Sequence, residues 1–435
     1  MDKDIVIIPK KRKKKAEKSD KSNRGEKTIR ICFDESAQSY SDLVSDFVGY
    51  RKYIDGYFAT HSEVFPSGFE LGYILHDKRI MKKIEGLIIR RIKLKNGEVY
   101  EIVPSNIMPY MSGKTEDIWQ GLWLRKWAVP YEVIATLFGR DAMYWERLEM
   151  SLGRGSLVGS LCKKGDLPVH LAADEKISRW NGSECYIAMT SSKDCMLGAE
   201  ISMSEDTVGL EAAYGVFKAE AQACEPTYSP ESVNLDGWKA TNAAWGNLFP
   251  QITLILCFLH SFLKIRDISK HLKEQFKDIC TQVWDVYRKE TKQEFMEAIA
   301  TLETWASTNL AGFEKVLLKI SDLCAKSARF ATAYDFPDAY RTSNQIDRPM
   351  NALDRYLYQI RYFSGNRDSA NQKIRAWAMM YNFAPFSQRV QKRKINPKKN
   401  SRFQEFNGFV YHANWLQNCL IANSLNGTKC HHTIR

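Results

Sequence analysis

The sequence predicts an α/β fold: a domain of the order βββαβαβα, interrupted by an all-helical insertion and preceded by a β-hairpin and a helix-turn-helix. Three observations carry this. The strand-like runs LPVHLAADE, ECYIAMT and LGAEISM follow one another with no helical stretch between them. Two more, SVNLDGW and ITLILCF, are each reached through an amphipathic stretch, the alternation that builds parallel strands with crossover helices. From 265 to 340 the text turns almost wholly helical, as in KHLKEQFKDICTQVWDVYRKETKQEFMEAIATLETW.

With 435 residues, 44% of them hydrophobic, the chain is long for one domain and has ample material for a core. Its most apolar stretch, ITLILCFL at 252–259, is too short to cross a bilayer, so no membrane partner is expected. KKRKKK at 10–15 has no apolar run behind it and does not read as a secretory leader. Ten scattered cysteines fit free thiols in a reducing compartment such as the cytoplasm.

The net charge of +12 sits at two places. Residues 1–30 hold twelve basic and five acidic residues, and residues 388–403 hold seven basic and none acidic, Lys392, Arg393 and Lys394 among them. Together they exceed the whole surplus, leaving the body slightly acidic. Basic appendages on a near-neutral body suit a polyanionic partner; the plainer alternative is a solvated tail and a solubilising loop.

Residues 1–30 lack an apolar period and are expected to be a disordered basic tail. Residues 31–160 form the candidate DNA-binding region. Within it, EGLIIRRIKLKNGEVYEIV reads as a hairpin whose Asn96-Gly97 supplies the positive φ angles of a two-residue turn. Ile134, Leu137 and Phe138 then recur at helical spacing, Gly139 interrupts, and Trp145, Leu148 and Met150 resume on a second helix. Such a pair suggests a helix-turn-helix whose second helix enters a major groove with Arg140, Arg147 and Arg154; an ordinary helical hairpin is the alternative. Residues 161–264 hold the three strands, the helix with Leu210, Ala213, Tyr214 and Phe217 on one face, and the two later strands. After the insertion at 265–340, residues 341–387 close the domain with a helix striped by Ile346, Met350, Leu353, Leu357 and Ile360, and 388–435 form a basic C-terminal segment.

The order βββαβαβα is that of the ribonuclease H-like fold, in which the first and fourth strands lie side by side. Alternation puts His170, Ala172 and Asp174 on one face of the first strand, and Asn234 and Asp236 on one face of the fourth. Two carboxylates held close repel unless a cation lies between them, and Mg²⁺ (or Mn²⁺) is the hard ion such oxygens suit. Two such ions about 4 Å apart serve phosphodiester chemistry. The third candidate is Asp347, near the start of the closing helix, with Asp354 one heptad on as the alternative. Each acid has a second reading: Asp236-Gly237 is a turn signal, Glu175 stands beside Asp174, and Asp347 precedes Pro349 where an acid can cap a helix.

The run LDGWKATNAAWGNLFPQITLILCFLHSFLKIRD resembles the block around the second acid in DDE transposases of the bacterial insertion-sequence and Mutator-like type, an Asp-Gly followed by an aromatic-Pro step and Cys-x-x-His. TSNQIDRPMNALDRYLYQIRYFSG is similar to their closing block, and the resemblance covers roughly 165–385. It implies a DNA transposase that binds terminal inverted repeats and target duplex, works as a homo-oligomer on DNA in the bacterial cytoplasm at the nucleoid, and performs metal-dependent hydrolysis and strand transfer. It also implies that Asp174, Asp236 and Asp347 hold the metal while Cys257 and His260 support the site. As a zinc half-site that pair would need Cys430-His431-His432; a satisfied core pair is the other reading. The paired cysteines that relatives often carry in the hairpin are absent, so no zinc is expected there. The family's third acid is usually Glu; Asp347 reaches one methylene less. The alternatives are a ribonuclease H-like structure-selective nuclease and a non-catalytic DNA-binding protein derived from a transposase.

Overall fold

Val, Ile and Tyr alternating with charged residues build a first sheet near the N-terminus of the computed structural model, which describes residues 27–33, 39–81, 84, 86–109, 113–163, 165–391 and 400–425. The KKRKKK run, Lys392, Arg393, Lys394 and Cys430-His431-His432 lie outside the described residues. The first elements are β1 (Thr28–Ile31), α1 (Tyr40–Ser45), α2 (Phe47–Thr60), β2 (Tyr73–Ile80), β3 (Ile88–Leu94) and β4 (Val99–Pro104). The sheet runs β1-β4-β3-β2, with β1 parallel to β4 and the other pairs antiparallel. Ile29, Ile31, Ile92 and Ile102 pack with Tyr50 and Ile54 of α2 into a core of their own.

Two expectations are corrected here. The tail does not run to residue 30, because Thr28–Ile31 has four buried positions and pairs with β4. The hairpin turn is not a two-residue one. The Leu94 N–H donates to the Glu98 carbonyl at 2.9 Å, which leaves Lys95, Asn96 and Gly97 as the loop. Of these only Gly97 is left-handed, at φ 88°, and a three-residue loop needs only one such position.

Next come α3 (Thr115–Lys126), α4 (Tyr131–Phe138), α5 (Ala142–Leu152) and α6 (Leu157–Leu161). The turn between α4 and α5 ends at Asp141, whose carboxylate accepts from the Tyr144 N–H at 2.7 Å and caps α5. Ile134, Trp145 and Leu148 are buried as their spacing predicts, but Leu137 is 64% exposed, because the stripe of α4 is centred on Ile134. The buried residues of this pair join the core of the second sheet, so 31–160 is not one region walled off from the rest.

That second sheet contains β5 (His170–Trp180), β6 (Ser183–Ser192), β7 (Cys195–Ser202), β8 (Ser232–Leu235) and β9 (Thr253–Leu256), with α7 (Thr207–Cys224) and α8 (Lys239–Leu248) as crossovers. Its order is β7-β6-β5-β8-β9; β5, β6 and β7 are antiparallel, while β5, β8 and β9 run parallel. The molecule is thus α/β with two mixed sheets. The helical block is α9 (Phe258–Ser269), α10 (Phe276–Tyr287), α11 (Lys292–Asn309), α12 (Glu314–Ala325) and α13 (Ser327–Ala331). It packs around Ile279, Val283, Phe295, Leu302 and Leu323 in a separate core that already includes Phe258, earlier than the expected start at 265.

The chain returns through α14 (Asn344–Gln359), which packs on β5 and β6, and α15 (Arg367–Phe383), which covers β7. An exposed edge strand would invite pairing with another chain. Here the Met196 N–H donates to Asn382 Oδ1 at 2.9 Å, Asn382 Nδ2 donates to the Met196 carbonyl at 2.8 Å, and the Ile201 N–H donates to Asn371 Oδ1 at 2.9 Å. The last helices are α16 (Gln388–Gln391), α17 (Arg402–Asn407) and α18 (Trp415–Ala422). The segment from 388 is therefore more than a basic appendage: the Arg30 N–H donates to Ser424 Oγ at 2.7 Å and the Leu425 N–H to the Thr28 carbonyl at 3.1 Å, which closes the free side of β1. Among the described residues no helix is long and apolar enough to cross a membrane.

Candidate functional site

Parallel pairing places Leu171 beside Val233 and Ala172 beside Asn234. Two residues further in the same register stand Asp174, still within β5, and Asp236, just beyond β8. Side chains alternate along a strand, so both acids share the face that carries Ala172 and Asn234. Asp236 accepts from the Trp238 N–H at 2.7 Å. Gly237 follows at φ 96°, where a Cβ would come within 2.6 Å of Leu256 Cδ1. The Asp-Gly pair is thus both a turn and the device that releases the strand end directly after the acid.

The third acid comes from α14. Ser343 Oγ donates to Asp347 Oδ2 at 2.8 Å, and the Ser343 N–H donates to Cys257 Sγ at 3.1 Å. Cys257 is fully buried, and its own N–H donates to the Leu235 carbonyl at 2.7 Å, one residue before Asp236. A continuous set of contacts therefore links the ends of β8 and β9 to the start of α14. Asp347 lies in the first turn of α14, and Ser343, at the N-cap position, turns its hydroxyl to Asp347 rather than to a backbone N–H of the helix. Asp354 is engaged elsewhere: its Oδ1 meets Lys176 Nζ at 2.9 Å.

Electrostatics ties the three acids together. Burial pushes the Asp174 carboxyl well above the usual carboxylate range, and the negative charges of Glu175, Asp236 and Asp347 push it further. Its neighbour Glu175 points to the other face, where Oε1 accepts from Tyr214 at 2.8 Å and from Thr241 at 2.7 Å. Burial raises Glu175 to about 7. Satisfied by two hydroxyls away from the shared face, Glu175 is a structural acid and Asp174 the outward one. Carboxylate oxygens that repel one another have the donor chemistry a hard divalent cation suits. Among the described residues, however, no group of three or more His, Cys, Asp or Glu side chains is drawn together tightly enough to hold a metal as it stands.

The remaining candidates fall apart spatially. Arg140, Arg147 and Arg154 do not share one helix: Arg140 sits in the turn before α5 at φ 66°, Arg147 is exposed on α5, and Arg154 follows its end. Their seven-residue spacing outruns an eleven-residue helix. Cys257 is a core residue with a defined contact, whereas His260 Nδ1 is buried with no hydrogen-bond partner among the described residues. Two residues join the site that were not among its candidates. Ser343 stands four before Asp347 in TSNQID, the spacing that meets on a helix. Asn234, 1% exposed, donates from Nδ2 to the Tyr340 carbonyl at 3.0 Å and leaves Oδ1 without a partner on the acids' face. No protein-family model and no curated protein matches this chain.

Proposed function

We propose that the chain is a DNA transposase of the DDE type, built on a ribonuclease H-like sheet, that hydrolyses a phosphodiester at each element end and joins the freed 3′-hydroxyl to target DNA. The observation that carries this reading is the parallel register that sets Asp174 and Asp236 on one face of neighbouring strands, with the charge of Asp347, from a distant part of the chain, acting on Asp174. The strand order β7-β6-β5-β8-β9 supports it, and the pairing of Asp354 with Lys176 favours Asp347 as the third acid.

Asp174, Asp236 and Asp347 would hold Mg²⁺ or Mn²⁺, which when bound neutralises phosphate charge and makes a water or hydroxyl more acidic. The chain's own residues do the positioning. Asp236 is fixed by the Trp238 N–H and Asp347 by Ser343, so two carboxylates are oriented before substrate arrives. Arg140, Arg147 and the basic run at 392–394 would bear on phosphates, and pairing two element ends would require more than one copy on the duplex.

The test uses the full chain with duplexes tiled across the DNA that flanks its coding sequence, in Mg²⁺ and in Mn²⁺. Nicking at one position and joining to a plasmid is expected, with Asp236→Asn retaining binding and losing both steps. Cleavage of branched DNA without regard to these ends would replace the reading with a nuclease. A second reading, a non-catalytic DNA-binding descendant, is favoured by the lack of a closed three-ligand group among the described residues; binding without cleavage in either metal would establish it.

A further inference from the structure

A cavity of about 670 Å³ opens beside α14, bounded by the α3–α4 turn, by Phe386, Ser387 and Val390, and by Arg402. Aromatic rings dominate its lining: Trp127 from the α3–α4 turn, Tyr358 from α14, Tyr362 from the turn that follows and Phe386 from beyond α15. Trp127 is 49% exposed and Tyr358 72%, so two large ring faces stand open to solvent at its rim. Arg348 and Arg355, seven residues apart on α14, also line the cavity; Arg348 is already paired with Asp194 at 3.1 Å, and Arg355 is exposed. Arg402 stacks on Tyr381 at 3.6 Å and lies 5.0 Å from the Phe386 ring centroid. The one acid in the lining, Asp354, is already paired with Lys176.

One feature shows that this place is built rather than left over. Arg361 and Tyr362, at φ 57° and 65°, are consecutive non-glycine residues in the left-handed region, the conformation that turns the chain back after α14 and sets Tyr362 at the cavity. Strain at such residues persists where surrounding structure over-determines it, and it clusters at binding sites.

Flat rings and arginines, with no unpaired acid in the lining, select a flat heteroaromatic ligand that carries an anion. We propose that this cavity binds one nucleotide unit, its base stacked between Tyr358, Tyr362 and Trp127 and its phosphate on Arg355. Two sources share that chemistry, a free mononucleotide and a base turned out of a DNA strand. The strand source rests on the transposase reading and fits the placement, because Asp347 and Tyr358 lie eleven residues apart on one helix, roughly 16 Å at 1.5 Å per residue. Within the helical block, by contrast, Trp284 packs on Phe262 and Tyr287.

The experiment measures binding of a labelled single-stranded oligonucleotide, the same oligonucleotide with one abasic position at each site in turn, and dAMP, to the full chain and to Tyr358→Ala, Trp127→Ala and Arg355→Ala. All three substitutions are at exposed positions, and circular dichroism checks that the fold is kept. Loss of one ring should weaken oligonucleotide binding about 5- to 150-fold, the equivalent of ~1–3 kcal/mol of stacking per base. One abasic position should cost a similar factor, with Tyr358→Ala adding little to it. Competition by dAMP identifies the free nucleotide as the source; binding by the strand alone identifies an extruded base. Unchanged affinity for every probe in all three variants overturns the proposal. Normal end cleavage beside that result would leave the transposase reading standing, and cavity binding without any cleavage would do the reverse.

Discussion

Arg375 and Asp174 are both charged groups withdrawn from water, and the protein treats them oppositely. Arg375, 1% exposed, faces Glu220 directly, lies 3.9 Å from Glu200 and donates to the Gly155 carbonyl at 2.9 Å. Glu220 in turn accepts from Ser156 Oγ at 3.0 Å and from the Leu157 and Val158 N–H groups at 2.7 and 3.2 Å, so it also caps α6. Asp174 has other acids for neighbours, and its carboxylate accepts a backbone N–H only from Glu175, at 2.8 Å. In the scaffold Arg375 and Glu220 each meet an opposite charge. At the sheet's acidic face repulsion is left standing, which is the condition under which a site attracts cations.

The sharpest way to break this contrast is to remove the paired cation. Arg375→Met leaves Glu220 and Glu200 buried without their counter-charge, and urea unfolding should show a loss of about 3–5 kcal/mol. A loss under 1 kcal/mol would mean that the two acids simply take up protons, and the scaffold would then resemble the acidic face. Glu175 gives the next effect. Its carboxyl sits at about 7, against an ordinary 4.5, so its stabilising contribution is complete below pH 4.5 and lost as pH rises through 7. That loss is at most about 1.4 kcal/mol per pH unit. Glu175→Gln, made in an Asp174→Asn background to silence the adjacent acid, should flatten thermal stability between pH 4.5 and 7. A slope that survives the substitution would assign the titration to another group.

A third charge lies between the two extremes. Glu149 is fully buried, pairs with Arg125 at 2.6 Å and accepts from Tyr131 at 2.8 Å and from Tyr356 of α14. The helix that carries Asp347 is therefore bonded to the helix pair of the N-terminal region. Tyr356→Phe keeps the ring and removes one donor to a charged acceptor, so about 1.5–3 kcal/mol should be lost in urea unfolding. The same variant should lower any cleavage activity through misplacement of α14. Unchanged stability would show that Arg125 and Tyr131 satisfy Glu149 alone.

The strands of the second sheet were legible because LPVHLAADE and SVNLDGW alternate and SVNL stops at Asp236-Gly237, and local signals of that kind survive packing. The different surroundings of Asp347 and Asp354 were not legible: both fall on one helical face in the text, and it takes Lys176, reaching from β5, to engage Asp354. The role of α15 was hidden for a similar reason. Its Asn371, Arg375 and Asn382 look like solvent-facing polar residues in the text, yet they are buried against β7 and α7, bonding an edge strand and a buried acid. The charge of 388–403 drew attention away from WLQNCLIA, the buried helix α18 that follows. Of Arg140, Arg147 and Arg154, expected on the second helix, only Arg147 lies on it, because α5 starts after Asp141 and ends at Leu152.

Asp174 offers the smallest effect and the most direct test of the contrast, because it should move in the unusual direction. A carboxyl whose folded value lies above its unfolded one favours the folded state only while protonated, so its contribution fades as pH rises and becomes a penalty for keeping the charged form near other acids. Asp174→Asn removes that penalty and keeps a polar group of the same shape. The variant should therefore be more stable than the unaltered chain at pH 7–8, by about 0.5–2 kcal/mol, with the difference shrinking toward pH 4. Added Mg²⁺ should narrow the same gap by raising the melting temperature of the unaltered chain and not that of the variant. Destabilisation at every pH would mean that Asp174 serves the fold as Glu220 does, and the acidic face would lose its distinction from the scaffold.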